Sequence, residues 1–370
     1  MKKRILLIEL NEFSEELLKL GADKLKLRNI KKLLYLNAKD TISPDENEHY
    51  GLDPWVQWVS IHTGKPSEEH KVKHLGDVIN LKKSQIWEKL GDLGYSTGLW
   101  GVMNGSLKKT KYSYFYLPDP WTITEKAKPQ KLNKFLSLPR YYAQNYLEPS
   151  KKLLMLTFLD LLKFILSDWN FIYLRNEIIY ALKVIVFNGL NNTILFGLFD
   201  LISHKIFIKY KINYDPNLSI IFLNCLAHAQ HDSWTKNKIK KDMKIILEII
   251  DMILSNFFEI IHQDEVILVM NGLGQKNVED KDYCIYRQKN PKSFLNFLGV
   301  KFDTLQQCMT NESHLFFKSK KKMLEAFKIL DNVYISNQKL FYVELSEKNF
   351  SLFYQLNIFH RIFKEEYFLV

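Results

Sequence analysis

The sequence predicts an α/β fold in which a mostly parallel central sheet carries helices on both faces, and three observations lead to it. Short apolar runs at 5–8, 218–223 and 265–270 are typical of buried parallel strands. Stretches with helical spacing of apolar residues separate these runs. Polar residues follow each run directly, as expected where strands of such a sheet end.

The predicted elements alternate along the chain as such a fold requires. After the first strand, helices are expected at 13–20, 30–36, 55–62 and 84–90, and a further strand is expected at 96–102. The later part of the chain is expected to contain a long helix at 238–262 and strands at 218–223, 265–270, 283–286 and 339–345. This alternation indicates a layered α/β core.

Residues 131–211 differ because long apolar helical stretches replace the alternation, at 153–166, 178–187 and 191–202. Asp160, Lys163 and Lys183 interrupt these stretches, so none reaches the run of about 18 uncharged residues that a membrane span needs. We therefore predict a core of residues 1–130 and 212–370 and a helical insertion or cap of residues 131–211. Basic residues flank the insertion, which makes peripheral contact with the inner membrane an alternative to a purely cytoplasmic location.

The composition is that of a folded, basic protein. A hydrophobic content of 46% excludes a disordered chain. The net charge of +11 comes from scattered lysines, which favours a solvated surface; the alternative is attraction to a phosphorylated substrate, a polyanionic glycan or a membrane surface. No nucleic-acid-binding module is recognisable, so no nucleic acid is expected. Three cysteines without paired spacing, and an N-terminal apolar run too short for a signal peptide, predict a cytoplasmic protein.

Polar residues cluster where the predicted strands end. They are Glu9 and Asn11, then Asn104, then Asn224, His228 and His231, and finally Asn271 and Gln275. Each has a structural alternative, since Asn-Gly pairs make turns and a histidine can lie on a helix surface. Because the carboxyl ends of parallel strands meet at one edge of a sheet, the set as a whole predicts a binding or catalytic site there.

The segment 52–77 carries the most specific signal. Asp53-Pro54 leads into a short aromatic-rich helix that ends at Thr63-Gly64, and a loop from Pro66 to His70 follows. This segment resembles the nucleophile helix of the alkaline phosphatase superfamily, which includes type I phosphodiesterases, nucleotide pyrophosphatases and sulfatases. The resemblance implies an alkaline-phosphatase-like fold. In that superfamily a Thr, Ser or Cys opens the helix, whereas this chain has Asp53, Pro54 and Trp55 there.

The resemblance also implies metal ligands, and this chain departs from most of them. Glu9 stands where the first strand usually ends in Asp, Ala227 stands where an Asp precedes His231, and Asn271-Gly272 replaces an Asp-His pair. His314 is the only candidate for a final histidine. Without these ligands or a nucleophile, neither a dinuclear zinc centre nor a covalent phospho-enzyme is expected, and the metal ligands stay unassigned.

The first functional hypothesis is a transferase that passes a sugar from a phosphorylated activated donor, such as a phosphoribosyl donor, to a glycan acceptor. The motifs ELNE, PWVQWVSIHTG, AHxQH and NGLxQ resemble bacterial proteins associated with surface-polysaccharide assembly, which implies a role in capsule or O-antigen biosynthesis and contact with the assembly proteins. Glu9, His228 or His231 would be the catalytic base. Substrate would be bound by Asn11, Trp55, Gln57, Trp58, His62, Asn104, Asn224, Asn271, Gln275 and Arg287. A diphosphate donor would bring Mg²⁺, and no other cofactor is expected.

Two other hypotheses stay open. A hydrolase of phosphate or sulfate esters would keep the superfamily's chemistry with an altered or single-metal site. A catalytically inactive binding protein would keep only the scaffold. Substitution at Glu9 separates the inactive binding protein from the two enzyme hypotheses. In an inactive scaffold the substitution would change stability and nothing else.

Overall fold

The computed structural model describes residues 3–45, 52–107, 112–146, 149–167, 170–235, 238–276, 284–308, 311–347, 350–362 and 368–369. The helices are α1 (Glu15–Leu25), α2 (Arg28–Leu34), α3 (Pro54–Thr63), α4 (Ser67–His70), α5 (Ile86–Asp92), α6 (Leu132–Asn145), α7 (Lys151–Leu166), α8 (Asn170–Tyr173), α9 (Arg175–Asn188), α10 (Asn192–Tyr214), α11 (Cys225–Ser233), α12 (Lys241–Ile260), α13 (Pro291–Phe297) and α14 (Lys320–Asp331), with a 3₁₀ helix at Asp77–Asn80. The strands are β1 (Arg4–Leu10), β2 (Thr97–Val102), β3 (Ser113–Pro118), β4 (Leu218–Leu223), β5 (Trp234–Thr235), β6 (Lys238–Ile239), β7 (Glu265–Met270), β8 (Thr304–Gln307), β9 (Glu312–Phe316), β10 (Tyr334–Ile335), β11 (Gln338–Lys339), β12 (Phe341–Ser346), β13 (Ser351–Leu356) and β14 (Phe368–Leu369).

A five-stranded parallel sheet in the order β3-β2-β4-β1-β7 forms the centre of the fold. Alternate residues of β1 face opposite sides. Leu6 and Ile8 pack in the main core, which contains α10 and α12, whereas Leu7 packs with Trp87 of α5. Helices therefore cover both faces, and the predicted α/β fold with a parallel central sheet is confirmed.

Two strands, β4 and β7, have the predicted bounds. Several other elements differ from the prediction. β1 continues past its apolar run to Leu10, so Glu9 lies inside the strand. β3 was not predicted. The helix predicted from 238 begins at Lys241, because Lys238–Ile239 pairs with Trp234–Thr235 in a short hairpin. The strand predicted at 283–286 is wrong for 284–286, which forms no strand; residue 283 lies outside the described residues.

The contacts divide the chain into two compact units. The first comprises Met1–Arg140 with Thr157–Asn277 and contains the parallel sheet. The second comprises Tyr141–Leu156 with Val278–Val370 and contains an antiparallel sheet in the order β12-β13-β9-β8, covered by α14. The predicted insertion, 131–211, is helical in its described residues, from α6 to most of α10; its boundaries and its role as a cap stay a prediction.

No described helix combines the length and the apolar character that crossing a membrane requires.

Candidate functional site

A tight turn after β1 brings Glu12 to the carboxyl edge of the sheet. The backbone N–H of Asn11 donates to the Leu223 carbonyl (3.0 Å), and that of Glu12 donates to the Asn271 carbonyl (3.0 Å). Glu12 itself has a left-handed conformation, with φ at +55°. Since few residues other than glycine adopt this region, the turn depends on its two neighbouring strands to hold it.

Seven side chains at this edge form one continuous hydrogen-bonded group, which we call the strand-end network; its members are Asn11, Glu12, Trp58, Asn224, His228, His231 and Gln275. Asn11 lies at its centre. Its amide nitrogen donates to Glu12 Oε1 (3.0 Å) and to Asn224 Oδ1 (2.8 Å), and its amide oxygen accepts from Trp58 Nε1 (2.7 Å). The structure therefore brings together six of the predicted site residues and adds Glu12, which the sequence analysis missed.

Glu12 is the buried acid of the network and His231 is its exposed base. The side chain of Glu12 is 8% exposed and that of His231 is 61% exposed, with Glu12 Oε2 3.4 Å from His231 Nε2. Burial raises the pKa of Glu12, but hydrogen bonds from His231 and Gln275 outweigh it and leave the pKa below its usual value. The contact with Glu12 raises the pKa of His231 above its usual value, although partial burial acts in the opposite direction. Glu12 is therefore an ionised carboxylate that stabilises the protonated imidazole.

The inner ring nitrogen of His231 lies against both Gln275 and Glu12. Gln275 Nε2 donates to Glu12 Oε2 and lies 2.8 Å from His231 Nε2. Neutral His231 can accept from Gln275 at Nε2, or it can carry its proton there and donate to Glu12. In the second tautomer Nδ1, which makes no hydrogen bond with the described residues, is free to accept a proton.

Helix α11 positions both histidines of the network on one side, three residues apart. Its first turn is held by Asp200 of α10, whose Oδ2 accepts from the backbone N–H groups of Asn224 and Cys225 (both 2.8 Å). Burial raises the pKa of Asp200 to about 6 despite these bonds. His228 stacks on Phe196, with ring centroids 3.7 Å apart.

His228 is a neutral acceptor in this arrangement. Its Nε2 lies 3.3 Å from Asn224 Nδ2, an amide donor. Burial, and then the neighbouring His231, lower the pKa of His228 to about 4. His231 is therefore the only one of the two placed and charged to exchange protons with solvent near neutral pH.

Glu9 lies beneath this edge in a second Glu–His pair. Its Oε1 is 2.6 Å from His62 Nε2, and both side chains are at most 1% exposed. The His62 ring lies between Trp58 and Trp87, with centroid distances of 5.8 and 5.0 Å. Glu9 Oε2 and His62 Nδ1 each lack a hydrogen-bond partner among the described residues. Both side chains are buried, so we interpret them as a structural pair below the network.

Three more of the predicted binding residues are committed to the protein itself. The buried amide of Asn104 accepts from the Gly76 N–H (2.8 Å) and donates to the Trp55 carbonyl (3.0 Å). Trp55 Nε1 donates to the Lys73 carbonyl (3.1 Å). Gln57 accepts from Ser43 Oγ (2.7 Å). These contacts fix the loops around α3.

The side chains of the last two predicted residues make no hydrogen bond with the network. Asn271 Nδ2 donates to the Phe13 carbonyl (3.3 Å), which supports the turn that carries Glu12. Arg287 belongs to the second unit, where it lines a cavity of about 500 Å³ and lies 5.0 Å from the centre of the Tyr146 ring.

Another cluster, Asp45, Ser60 and His70, has the residue types of a catalytic triad in the wrong order. The Val72 N–H donates to His70 Nδ1 (3.0 Å), so the neutral ring carries its proton on Nε2, 3.0 Å from Ser60 Oγ. Ser60 in turn donates to Asp45 Oδ2 (2.5 Å). His70 therefore donates to the serine and cannot take its proton, which a triad requires.

The two-zinc centre implied by the sequence resemblance does not fit this chain. The helix predicted at 55–62 spans Pro54–Thr63, and Asp53 occupies its N-cap with no hydroxyl or thiol at the opening. At Gly272, where a histidine ligand would stand, φ is +70° and an added Cβ would lie 2.7 Å from the Trp58 ring. The part of the chain that the structure describes contains no group of three His, Cys, Asp or Glu placed to hold a metal ion.

Comparisons with known proteins give a structural likeness only. No protein-family model and no curated protein sequence matches the chain. Crystal structures of phosphonoacetate hydrolase from Sinorhizobium meliloti 1021, in complex with phosphonoacetate and with phosphonoformate, match with a TM-score of 0.45 and 11% identity. The two matches cover 96% and 97% of this chain and 81% and 82% of the hydrolase chain. The activity of the present chain has to be argued from its own side chains.

Proposed function

We propose that this protein hydrolyses phosphate or sulfate esters with His231 as general base and Glu12 as the residue that orients it. The observation that carries the proposal is an exposed imidazole held by a buried, ionised carboxylate at the carboxyl edge of a parallel sheet. Substrates of open α/β sheets bind at this edge. A base whose pKa lies near the working pH is the most effective kind.

The chemistry needs water and the two residues. Nδ1 of neutral His231 takes a proton from a water molecule as that water attacks the phosphorus or sulfur atom. The bond to the leaving oxygen breaks, and the imidazolium returns the proton to that oxygen. Glu12 stabilises the imidazolium in between, because its carboxylate faces the protonated Nε2. The excess of lysines over acids in the chain favours an anionic ester.

Sugar transfer has less support, because two of the four tryptophans that could stack on a sugar ring, Trp58 and Trp100, lie in the core, while Trp55 and Trp121 are half-buried. Trp58 and Trp100 are at most 1% exposed. Their indole N–H groups donate to Asn11 Oδ1 and to Ser203 Oγ, each at 2.7 Å. Transfer to a glycan acceptor, with its role in surface-polysaccharide assembly, stays a prediction.

The test is an assay of the purified chain on p-nitrophenyl phosphate, bis(p-nitrophenyl) phosphate and p-nitrophenyl sulfate. Turnover of at least one ester is expected, with a loss of about 100-fold in His231→Ala, since a positioned general base contributes at least that much. His262→Ala is the matched control, because this exposed histidine precedes β7 at the opposite edge of the sheet. Equal rates in His231→Ala and the unmodified protein, or no turnover of any ester, would overturn the proposal.

A further inference from the structure

Helices α7 and α9 expose apolar side chains that a globular protein normally buries. On α7, Phe158, Leu162 and Leu166 follow one another at intervals of four residues and are all exposed. On α9, Leu182, Val186 and Phe187 are exposed, the last two at 76% and 78%. We call these six residues the apolar helical surface. Exposed apolar side chains grouped on one face of a helix often mark a site of interaction.

The opposite faces of these two helices already pack into the core of the protein. The exposed faces are therefore additional apolar surface. Phe164 of α7 is 1% exposed and its ring centroid lies 5.3 Å from that of Phe135. Ala181 and Val184 of α9 also belong to the main core. A helix that is apolar on all sides needs an apolar neighbour on each. Among the described residues, such a neighbour is present on one side of each helix.

Bases outnumber acids among the charged residues of α7 and α9. Lys163 and Lys183 are exposed next to Leu162 and Leu182. The acids behave differently: Asp160 is half-buried and lies 3.5 Å from Lys163, and Glu177 is buried 3.6 Å from Lys205. A surface of apolar residues bordered by lysines complements a bilayer with anionic headgroups, where apolar groups enter the acyl region and lysines reach the phosphates.

We propose that the apolar helical surface binds the surface of an anionic phospholipid bilayer, with α7 and α9 lying in the headgroup region. The chain is then a peripheral membrane protein. The proposal does not depend on ester hydrolysis, because the surface and the strand-end network have no residue in common.

The test is co-sedimentation of the full chain with phosphatidylcholine vesicles that contain or lack phosphatidylglycerol. Binding is expected to the anionic vesicles and to weaken as salt rises from about 0.1 M to about 1 M, where the Debye length falls from about 10 to about 3 Å. Val186→Gln/Phe187→Gln and Lys163→Glu/Lys183→Glu are each expected to lower the bound fraction at least tenfold, roughly the effect of losing one or two lipid contacts.

The matched control is Phe297→Gln, because Phe297 of α13 is 79% exposed and lies outside the apolar helical surface. It is expected to bind as the unmodified protein does. Equal binding to neutral and anionic vesicles, or binding that neither double variant reduces, would overturn the proposal. So would a dimer that Val186→Gln/Phe187→Gln dissociates and that does not bind vesicles, since a second copy would then cover the surface.

Discussion

Two Glu–His pairs lie close together in the first unit, and their surroundings give them opposite properties. Glu9 and His62 are 2.6 Å apart, sealed between tryptophans, and their side chains are at most 1% exposed. Glu12 and His231 are 3.4 Å apart, with the acid buried and the imidazole open to solvent. The same two residue types therefore make a structural contact in one place and a proton acceptor in the other. Access to water decides between them.

The largest effect is expected where the sealed pair is broken. His62→Leu leaves the Glu9 carboxylate buried without its partner, which costs about 3–5 kcal/mol of the free energy of unfolding. Urea denaturation measures it. Glu9→Met/His62→Leu is expected to recover most of the loss, because two apolar groups need no partner. If His62→Leu were as stable as the unmodified protein, the pair would make no contribution to the free energy of unfolding.

The next effect separates the open pair from the sealed one by activity. Glu12→Gln keeps the shape of the side chain but removes the charge that stabilises the imidazolium. The rate of ester hydrolysis is expected to fall about 100-fold, within the range for general-base catalysis. Steady-state kinetics measure it, with circular dichroism to show that the fold persists. An unchanged rate in Glu12→Gln would leave His231 without its proposed orienting residue.

The pH profile provides a finer test of the same pair. His231 acts as a base only when neutral, and its pKa is raised above 6.5, so kcat/KM is expected to increase with pH through a midpoint above that value. Glu12→Gln removes the cause of the shift, and the midpoint is expected to move to lower pH. If the midpoint of the pH profile did not move in Glu12→Gln, Glu12 would not be the cause of the raised pKa of His231.

The pKa shifts of this pair also set the sign of its contribution to stability. His231 has a raised pKa, so it stabilises the folded protein fully below about pH 6.5. That stabilisation is lost as the pH rises through the pKa of His231 in the folded protein. Glu12 has a lowered pKa, so it stabilises the folded protein fully above about pH 4.5. That stabilisation is lost as the pH falls through the pKa of Glu12 in the folded protein. The contribution of the pair is therefore expected to be greatest between these limits, which a pH series of urea midpoints checks.

The smallest effect is expected at Ser60, in the cluster that only resembles a triad. Since His70 donates to Ser60, the serine is not activated, and Ser60→Ala is expected to leave the rate of ester hydrolysis unchanged. Loss of its bond to Asp45 costs about 1 kcal/mol of the free energy of unfolding. Kinetics and urea denaturation check both values. A large loss of activity would instead make Ser60 a candidate nucleophile.

The sequence predicted the sheet better than the site, for a physical reason. Uninterrupted apolar runs such as 218–223 and 265–270 define buried parallel strands on their own. Glu9 ended the apolar run of β1 and was therefore assigned to the strand end. In the structure it stays in the strand because His62, more than fifty residues away, provides its buried partner. Such a long-range contact leaves no local pattern.

Glu12 was missed for a related reason. It is part of the motif ELNE, but only a left-handed turn held by the neighbouring strands directs its side chain into the network. The polar residues after β4, in contrast, were correctly expected to lie together with Asn11, because strand ends of a parallel sheet converge. The convergence could be predicted; which carboxylate would face the histidine could not.

The order of the sheet also affects how the protein is made. β1 leaves the ribosome well before its two neighbours in the sheet, β4 and β7, so Ile5 cannot pair with Leu218 or Val266 until they are synthesised. At roughly 5–20 residues per second, the intervening 200 or so residues take about 10–40 seconds to synthesise. During that time the apolar residues of β1 have no native strand to pair with. The nascent chain therefore depends on early helices or on chaperones to shield β1 until translation reaches its partner strands.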